Sequence, residues 1–239
     1  MQLPRYWRYI RSTNELSVFY NASVLNVPSP EDVRVLGLRY LVVPTGIEPP
    51  VGGRVVEDAD GYSLWELDDT QPLSTVTSMV AFVHDLPSAM DEVTTSGFDP
   101  SEQAVLETTA DVFTCVGCTP TVPAVTTAIS GSELTIQIPE SGGGILTIRN
   151  AYEAGWRAVV DGRAATTIPV DGFLQGVILP QGAREVVLTY HDDAVMLGLA
   201  VGAGIWLVLL SAPLVALAFE RRRREGDGAR PTRPPPPDA

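Results

Sequence analysis

Lysine is missing from this 239-residue chain: all 16 basic residues are arginine, against 29 acidic ones, for a formal net charge of −13. An acidic chain without a clustered basic face excludes a nucleic-acid-binding footprint. Cysteine and histidine are equally scarce, at two each. That is too few for a disulfide-built scaffold and for a zinc site of cysteine alone. The first 25 residues also lack the run of roughly 7–15 apolar residues that a secretory signal needs, because arginines and polar residues interrupt them. What is present points to a folded, β-leaning protein. Hydrophobic residues make up 45%, with 21 glycines and 20 prolines, which excludes a disordered chain and disfavours a helical bundle. The length allows one or two domains.

One long apolar run stands out near the C-terminus. Ala194 to Phe219 is 26 residues without a charge. A helix needs about 20 such residues to cross a hydrocarbon core. Gly198, Gly202 and Gly204 are tolerable in a membrane helix and give small-xxx-small spacing. Arg221, Arg222, Arg223 and Arg224 follow the run directly, whereas His191, Asp192 and Asp193 precede it. The positive-inside rule then places the C-terminus in the cytoplasm and residues 1–193 outside. The Pro-rich tail, within 220–239, reads as disordered. A single late span does not readily export a large globule made before it. The chain is therefore expected to be the C-terminal part of a longer polytopic protein, or to work beside a separate membrane partner.

The exported part divides into a mixed α/β region (1–110), a linker with the cysteine pair (111–121) and an antiparallel β-sandwich (122–193); the membrane helix (194–219) and tail follow. Ser29-Pro30-Glu31-Asp32 is a helix start, with Ser as N-cap and Pro at the first position. Tyr40 to Val43 reads as a buried strand. Asp60-Gly61 marks a hairpin between Val55-Val56 and Tyr62–Leu67. Strands are also expected at Met79–His84 and Ala104–Glu107, with a short helix at Ser88–Thr95 between them. From Val122 to Tyr190, short strands recur every 8–12 residues with Asp161-Gly162 and Asp171-Gly172 among the turns, the pattern of a sandwich.

Candidate chemistry is sparse. Cys115 and Cys118 have thioredoxin-like spacing, but the prolines that follow deny the helix such a motif needs. Zinc would need two more ligands, and a local disulfide stiffening the linker is the favoured assignment in an oxidising compartment. No metal, cofactor or catalytic residue is assigned. Trp156 beside Arg157 and Asp161 could stack and hydrogen-bond a sugar. The competing reading, which is favoured, packs Trp156 between sheets and makes Asp161-Gly162 a simple turn.

The segment Asn150-Ala151-Tyr152-Glu153-Ala154-Gly155-Trp156-Arg157-Ala158-Val159-Val160-Asp161-Gly162 resembles the "yyPGWrAtVDG" motif near the end of bacterial YfhO-type membrane proteins. Gly176–Gly182 and Val187–Tyr190 leading into a hydrophobic helix extend the resemblance. So do Leu36–Val43, similar to that family's "lgvrYvv" strand, and Phe98-Asp99-Pro100, similar to its "fDP" turn. Ala154 departs from the family's proline. The resemblance implies a GT-C-type glycosyltransferase relative that uses a lipid-phosphate-linked sugar to glycosylate envelope polymers such as lipoteichoic acid. The catalytic half of such a protein, with its many membrane helices, has no counterpart here. The expectation is a bacterial, single-pass, extracytoplasmic part or accessory without a catalytic centre. Its partners would be the bilayer, a polytopic GT-C-like protein or missing N-terminal part, and an envelope glycopolymer. A structural or binding module of an unrelated membrane complex is the second reading, and an independent surface enzyme the third.

Overall fold

The structure is a computed structural model, and it describes residues 4–13, 28–95, 97–108, 121–139 and 143–227. It comprises two units, residues 1–191 and 192–239. The first unit opens with α1 (Pro4–Thr13) and α2 (Pro30–Leu36). Ser29 caps α2 through a reciprocal box with Asp32, and Gly37 ends it in the left-handed conformation. Strands β1 (Tyr40–Pro44), β2 (Gly53–Ala59) and β3 (Tyr62–Leu67) form an antiparallel sheet in the order β1-β3-β2. Asp60 and Gly61 both have positive φ, the backbone that a two-residue hairpin turn requires.

The next elements are β4 (Ser74–Thr77), β5 (Val80–Val83), α3 (Leu86–Thr94) and β6 (Ala104–Glu107). Strands β5 and β6 are parallel, joined by a crossover that includes α3, whose Ala89, Met90 and Val93 are buried. Then come β7 (Val122–Pro123), β8 (Val125–Ile129), β9 (Glu133–Gln137), β10 (Gly144–Ala151) and β11 (Trp156–Val160). The unit closes with β12 (Arg163–Ala165), β13 (Thr167–Val170), β14 (Leu174–Leu179) and β15 (Glu185–Tyr190).

A seven-stranded sheet runs β5-β6-β13-β14-β10-β4-β7, and a five-stranded sheet runs β12-β11-β15-β9-β8. Between them lies an apolar core. Val76, Leu146, Ile148, Val177 and Leu179 come from the first sheet; Ile136, Trp156, Ala158, Val186 and Leu188 come from the second. Each fully buried aliphatic side chain here contributes about 1.5–3 kcal/mol of transfer free energy. The larger sheet takes β4, β5 and β6 from before residue 110 and β10, β13 and β14 from after residue 122. It therefore runs through the expected division at 111–121. Ladder pairing such as Thr75 against Thr147 joins residues far apart in sequence, and no local composition shift records it. A second apolar cluster joins α1, α3 and Phe173, with Tyr9 stacked on Phe173 at 4.2 Å.

The second unit is α4 (Asp193–Asp227). Asp192 accepts the backbone N–H groups of Ala194 and Val195 at 3.0 Å, satisfying two orphan donors of the first turn. Residues Asp193–Pro213 are long and apolar enough to cross a membrane. The helix continues through Arg221–Arg224, so residues 220–227 are helical and not part of a disordered tail. Arginine and glutamate are good helix formers, which lets the helix outlast its apolar stretch.

Candidate functional site

Strand geometry decides how Trp156, Arg157 and Asp161 relate. Side chains along β11 alternate, so Trp156, Ala158 and Val160 face the core while Arg157 and Val159 face outward. Trp156 is 9% exposed and meets Tyr190 edge-on, with ring centroids 5.4 Å apart. Gly155 makes this approach possible, because a Cβ there would lie 2.7 Å from the Tyr190 ring. Asp161 sits beyond the far end of the strand with φ 47°. Its carboxylate accepts the backbone N–H groups of Arg184 (3.2 Å) and Glu185 (3.0 Å). The three residues thus do not converge on one space: one faces inward, one outward, and one ties a turn. Cys115 and Cys118 lie outside the described residues, and Arg221–Arg224 occupy late turns of α4.

The buried polar groups gather elsewhere, beside α1 and the β13–β14 turn. Asp171, at φ 51°, is 2% exposed. Its backbone N–H donates to Val105 O (2.9 Å), and its Oδ1 accepts the Val105 N–H (2.8 Å). Burial pushes its carboxyl up to about 6, opposed by the Val105 hydrogen bond and the charge of Arg149. Burial likewise pulls the Arg149 guanidinium down to about 10, opposed by Asp171. Arg149 Nη1 donates to Pro72 O (2.7 Å) and the Thr75 hydroxyl (3.3 Å), and Gly37 packs on its stem. Gln175 is fully buried, and its Oε1 accepts the Glu153 N–H at 3.1 Å.

Around this seam, Arg5 on α1 pairs with Glu107 and donates to Gly172 O at 2.9 Å. The Tyr9 hydroxyl donates to Asp32 Oδ1 at 2.8 Å. A carboxyl titrating near neutrality is suited to proton transfer in an open cleft. Asp171 instead spends its oxygen on the backbone of β6, so its work is architectural. Sequence reasoning saw Asp171 only as a turn residue. No local signal separates it from Asp161.

A third charged group lies on the small sheet. Glu66 accepts from Arg39 Nε (3.2 Å) and Nη2 (2.9 Å), and pairs with Arg54 on its other side. Both bonds hold the Glu66 carboxyl below its usual range. Among the described residues, no group of three or more His, Cys, Asp or Glu could hold a metal ion.

No family model matches the chain, and no curated protein matches it. Part of it is similar to a solved structure, the single-particle cryo-EM structure of arabinofuranosyltransferase AftD from Mycobacteria. The likeness is 26% identical, covers 34% of this chain and 6% of that one, and has a TM-score of 0.28. The chain thus spans a small fraction of that protein's length, and an overlap of this extent assigns neither fold nor activity.

Proposed function

We propose that the chain is a membrane-anchored, extracytoplasmic part or accessory of a polytopic envelope glycosylation protein of the YfhO-like type, bracing it or presenting its acceptor polymer. The observation that carries this reading is the apolar helix Asp193–Pro213, preceded in sequence by a β-sandwich and followed by four arginines. The motif from Asn150 to Gly162 adds support: its Gly155-Trp156 step and Asp161-Gly162 turn are built into the last sheet before the helix. The arginines orient the helix with its C-terminus in the cytoplasm. Several acids are occupied in architecture: Asp32 in a helix cap, Asp85 in another, Glu107 with Arg5, and Asp161 in a turn. This favours an accessory over an independent surface enzyme. One helix also offers little to enclose a prenyl donor, and Arg221–Arg224 would lie a full bilayer, ~30 Å, from the exported acids.

Two experiments test the proposal. A reporter fused after Arg224 should be active in the cytoplasm, and one inserted at Gly131, between β8 and β9, should be active outside. The reverse pattern overturns the orientation. The purified chain should then show no transfer from a polyprenyl-phosphate sugar to an envelope acceptor by itself, and transfer only with a polytopic partner. Turnover by the chain alone refutes the accessory role.

A further inference from the structure

The seven-stranded sheet is not joined equally well along its width. β10 pairs with β14 at six positions and β13 with β14 at four. On the far side, β5 and β6 pair at four positions, Val80–Val83 against Ala104–Glu107, and α3 buries Ala89, Met90 and Val93. Between these two well-paired blocks, β6 meets β13 at a single position among the described residues, Leu106 opposite Val170. A side chain completes the next position. Asp171 N donates to Val105 O, but the backbone turns away at φ 51°, and the Val105 N–H goes to Oδ1 of Asp171. Arg5 of α1 ties the same seam, pairing with Glu107 of β6 and donating to Gly172 O of the turn.

We propose that β5, α3 and β6 part from the rest of the first unit as one body at this seam, and that the charge on Asp171 controls how often they do. Proteins open in contiguous cooperative pieces below the free energy of global unfolding, and a strand pair with its own helix is such a piece. The pivot is the two-residue link Ser78-Met79 between β4 and β5, where Thr77 Oγ1 accepts the Met79 N–H at 3.1 Å. Apolar contact closes the seam: Ala104 and Leu106 share a buried cluster with Ile145 and Val170.

A backbone ladder bond is indifferent to pH, whereas the Asp171 bond is not. With the seam closed this residue is 2% exposed, and with the seam open its carboxyl meets water. Burial disfavours the charged form, so the neutral carboxyl keeps the seam shut and the carboxylate favours release. The groups around Asp171 do not reverse this. Arg149 of β10 opposes it, but Arg149 Nη1 is committed to Pro72 O and the Thr75 hydroxyl. Arg5 is paired with Glu107, and Asp32 of α2 accepts from Tyr9 of α1. From α3, the neighbours of Gly172 are the apolar Ala89 and Met90. The inference stands independently of the glycosylation reading.

The test is amide hydrogen exchange on the full chain in detergent, corrected for the intrinsic rate at each pH. Protected amides of β5, α3 and β6 should share one opening constant, about tenfold or more above that of β14 and β15. From about pH 4 to about pH 7 that constant should rise on the order of fiftyfold, as a carboxyl moved from 3.8 to about 6 by closure requires. Asp171→Asn should remove the rise. In the unaltered chain, the Asp171 carboxyl carbon resonance should titrate where the rise levels off, which keeps the test valid if that variant misfolds. Exchange of β5, α3 and β6 only together with β14 and β15 overturns the proposal. So does a rise that survives in Asp171→Asn, or an Asp171 resonance that titrates at the ordinary carboxylate value.

Discussion

Two Asp-Gly turns with nearly the same backbone behave as opposites. Asp161 and Asp171 have φ of 47° and 51°, and each is followed by a glycine with positive φ. Asp161 lies at the surface, where its carboxylate ties two N–H groups of a neighbouring turn. Asp171 lies inside, completing the pairing of β6 with its own side chain. The same contrast separates the two cores. The polar groups of the sandwich core are uncharged, Gln175 on the face of β14 that carries Val177 and Leu179 and Ser74 bonded to Thr126 across the sheets, whereas the core beside α1 holds the carboxyls of Asp32 and Asp171. The dipeptide specifies the turn; the surroundings specify what the carboxylate costs.

The largest effect is expected where burial is apolar. Trp156→Ala removes a large side chain from between the sheets and should cost about 3–5 kcal/mol. Urea unfolding of the chain in detergent measures it. A variant of unchanged stability that had lost only glycan binding would reverse the assignment of Trp156.

Asp171 should show the polar core through pH. Its carboxyl is raised from 3.8 to about 6 in the folded chain, so folding favours the protonated form. The resulting stabilisation is full below about pH 3.8 and is lost as pH rises through about 6, a swing on the order of 3 kcal/mol. Asp171→Asn keeps an acceptor for Val105 and tolerates the left-handed backbone, but cannot ionise. The stability of the variant relative to the parent should therefore climb between about pH 4 and pH 7. A flat difference would mean that the surroundings solvate the charge better than burial implies. The carboxyls of Glu66 and Asp85 are shifted downward, so they drive total stability the other way. Only the difference between variant and parent isolates Asp171.

Tyr9→Phe probes the same core more gently. The Tyr9 hydroxyl donates to buried Asp32, which also closes the α2 capping box. Losing that donor should cost about 1–2 kcal/mol, read as a lower unfolding midpoint. An unchanged midpoint would show that Asp32 is satisfied by the cap alone.

Much of the architecture was written locally. Ser29-Pro30-Glu31-Asp32 announced α2, Asp60-Gly61 announced the first hairpin, and Leu134 and Ile136 alternated as β9 requires. The 26-residue apolar run announced α4. Other elements carried weaker signals. Ser74–Thr77 has only one apolar residue, yet all four positions are buried, so β4 owes its place to its ladder with β10. Three arginines in α1 masked the helical spacing of Tyr6, Tyr9 and Ile10, which pack against the Phe173 cluster. Strand alternation already set Trp156 and Arg157 on opposite faces. The coupling of Arg149 with Asp171 was beyond any local pattern, because strand β10 and the β13–β14 turn, distant in sequence, create it.

The smallest expected effect belongs to the exposed turn. Asp161→Asn retains a side-chain oxygen for Arg184 and Glu185, and asparagine accepts the left-handed backbone as readily as aspartate. Those two donors lie at the surface, so a lengthened bond would be replaced by water at little cost. The change should stay within about 0.5 kcal/mol at neutral pH, measured beside Asp171→Asn under the same conditions. A loss of several kcal/mol at Asp161 would mean that its carboxylate charge, and not the turn geometry, holds the end of β11 against the β14–β15 connection. The two Asp-Gly turns would then differ in exposure but not in their dependence on charge.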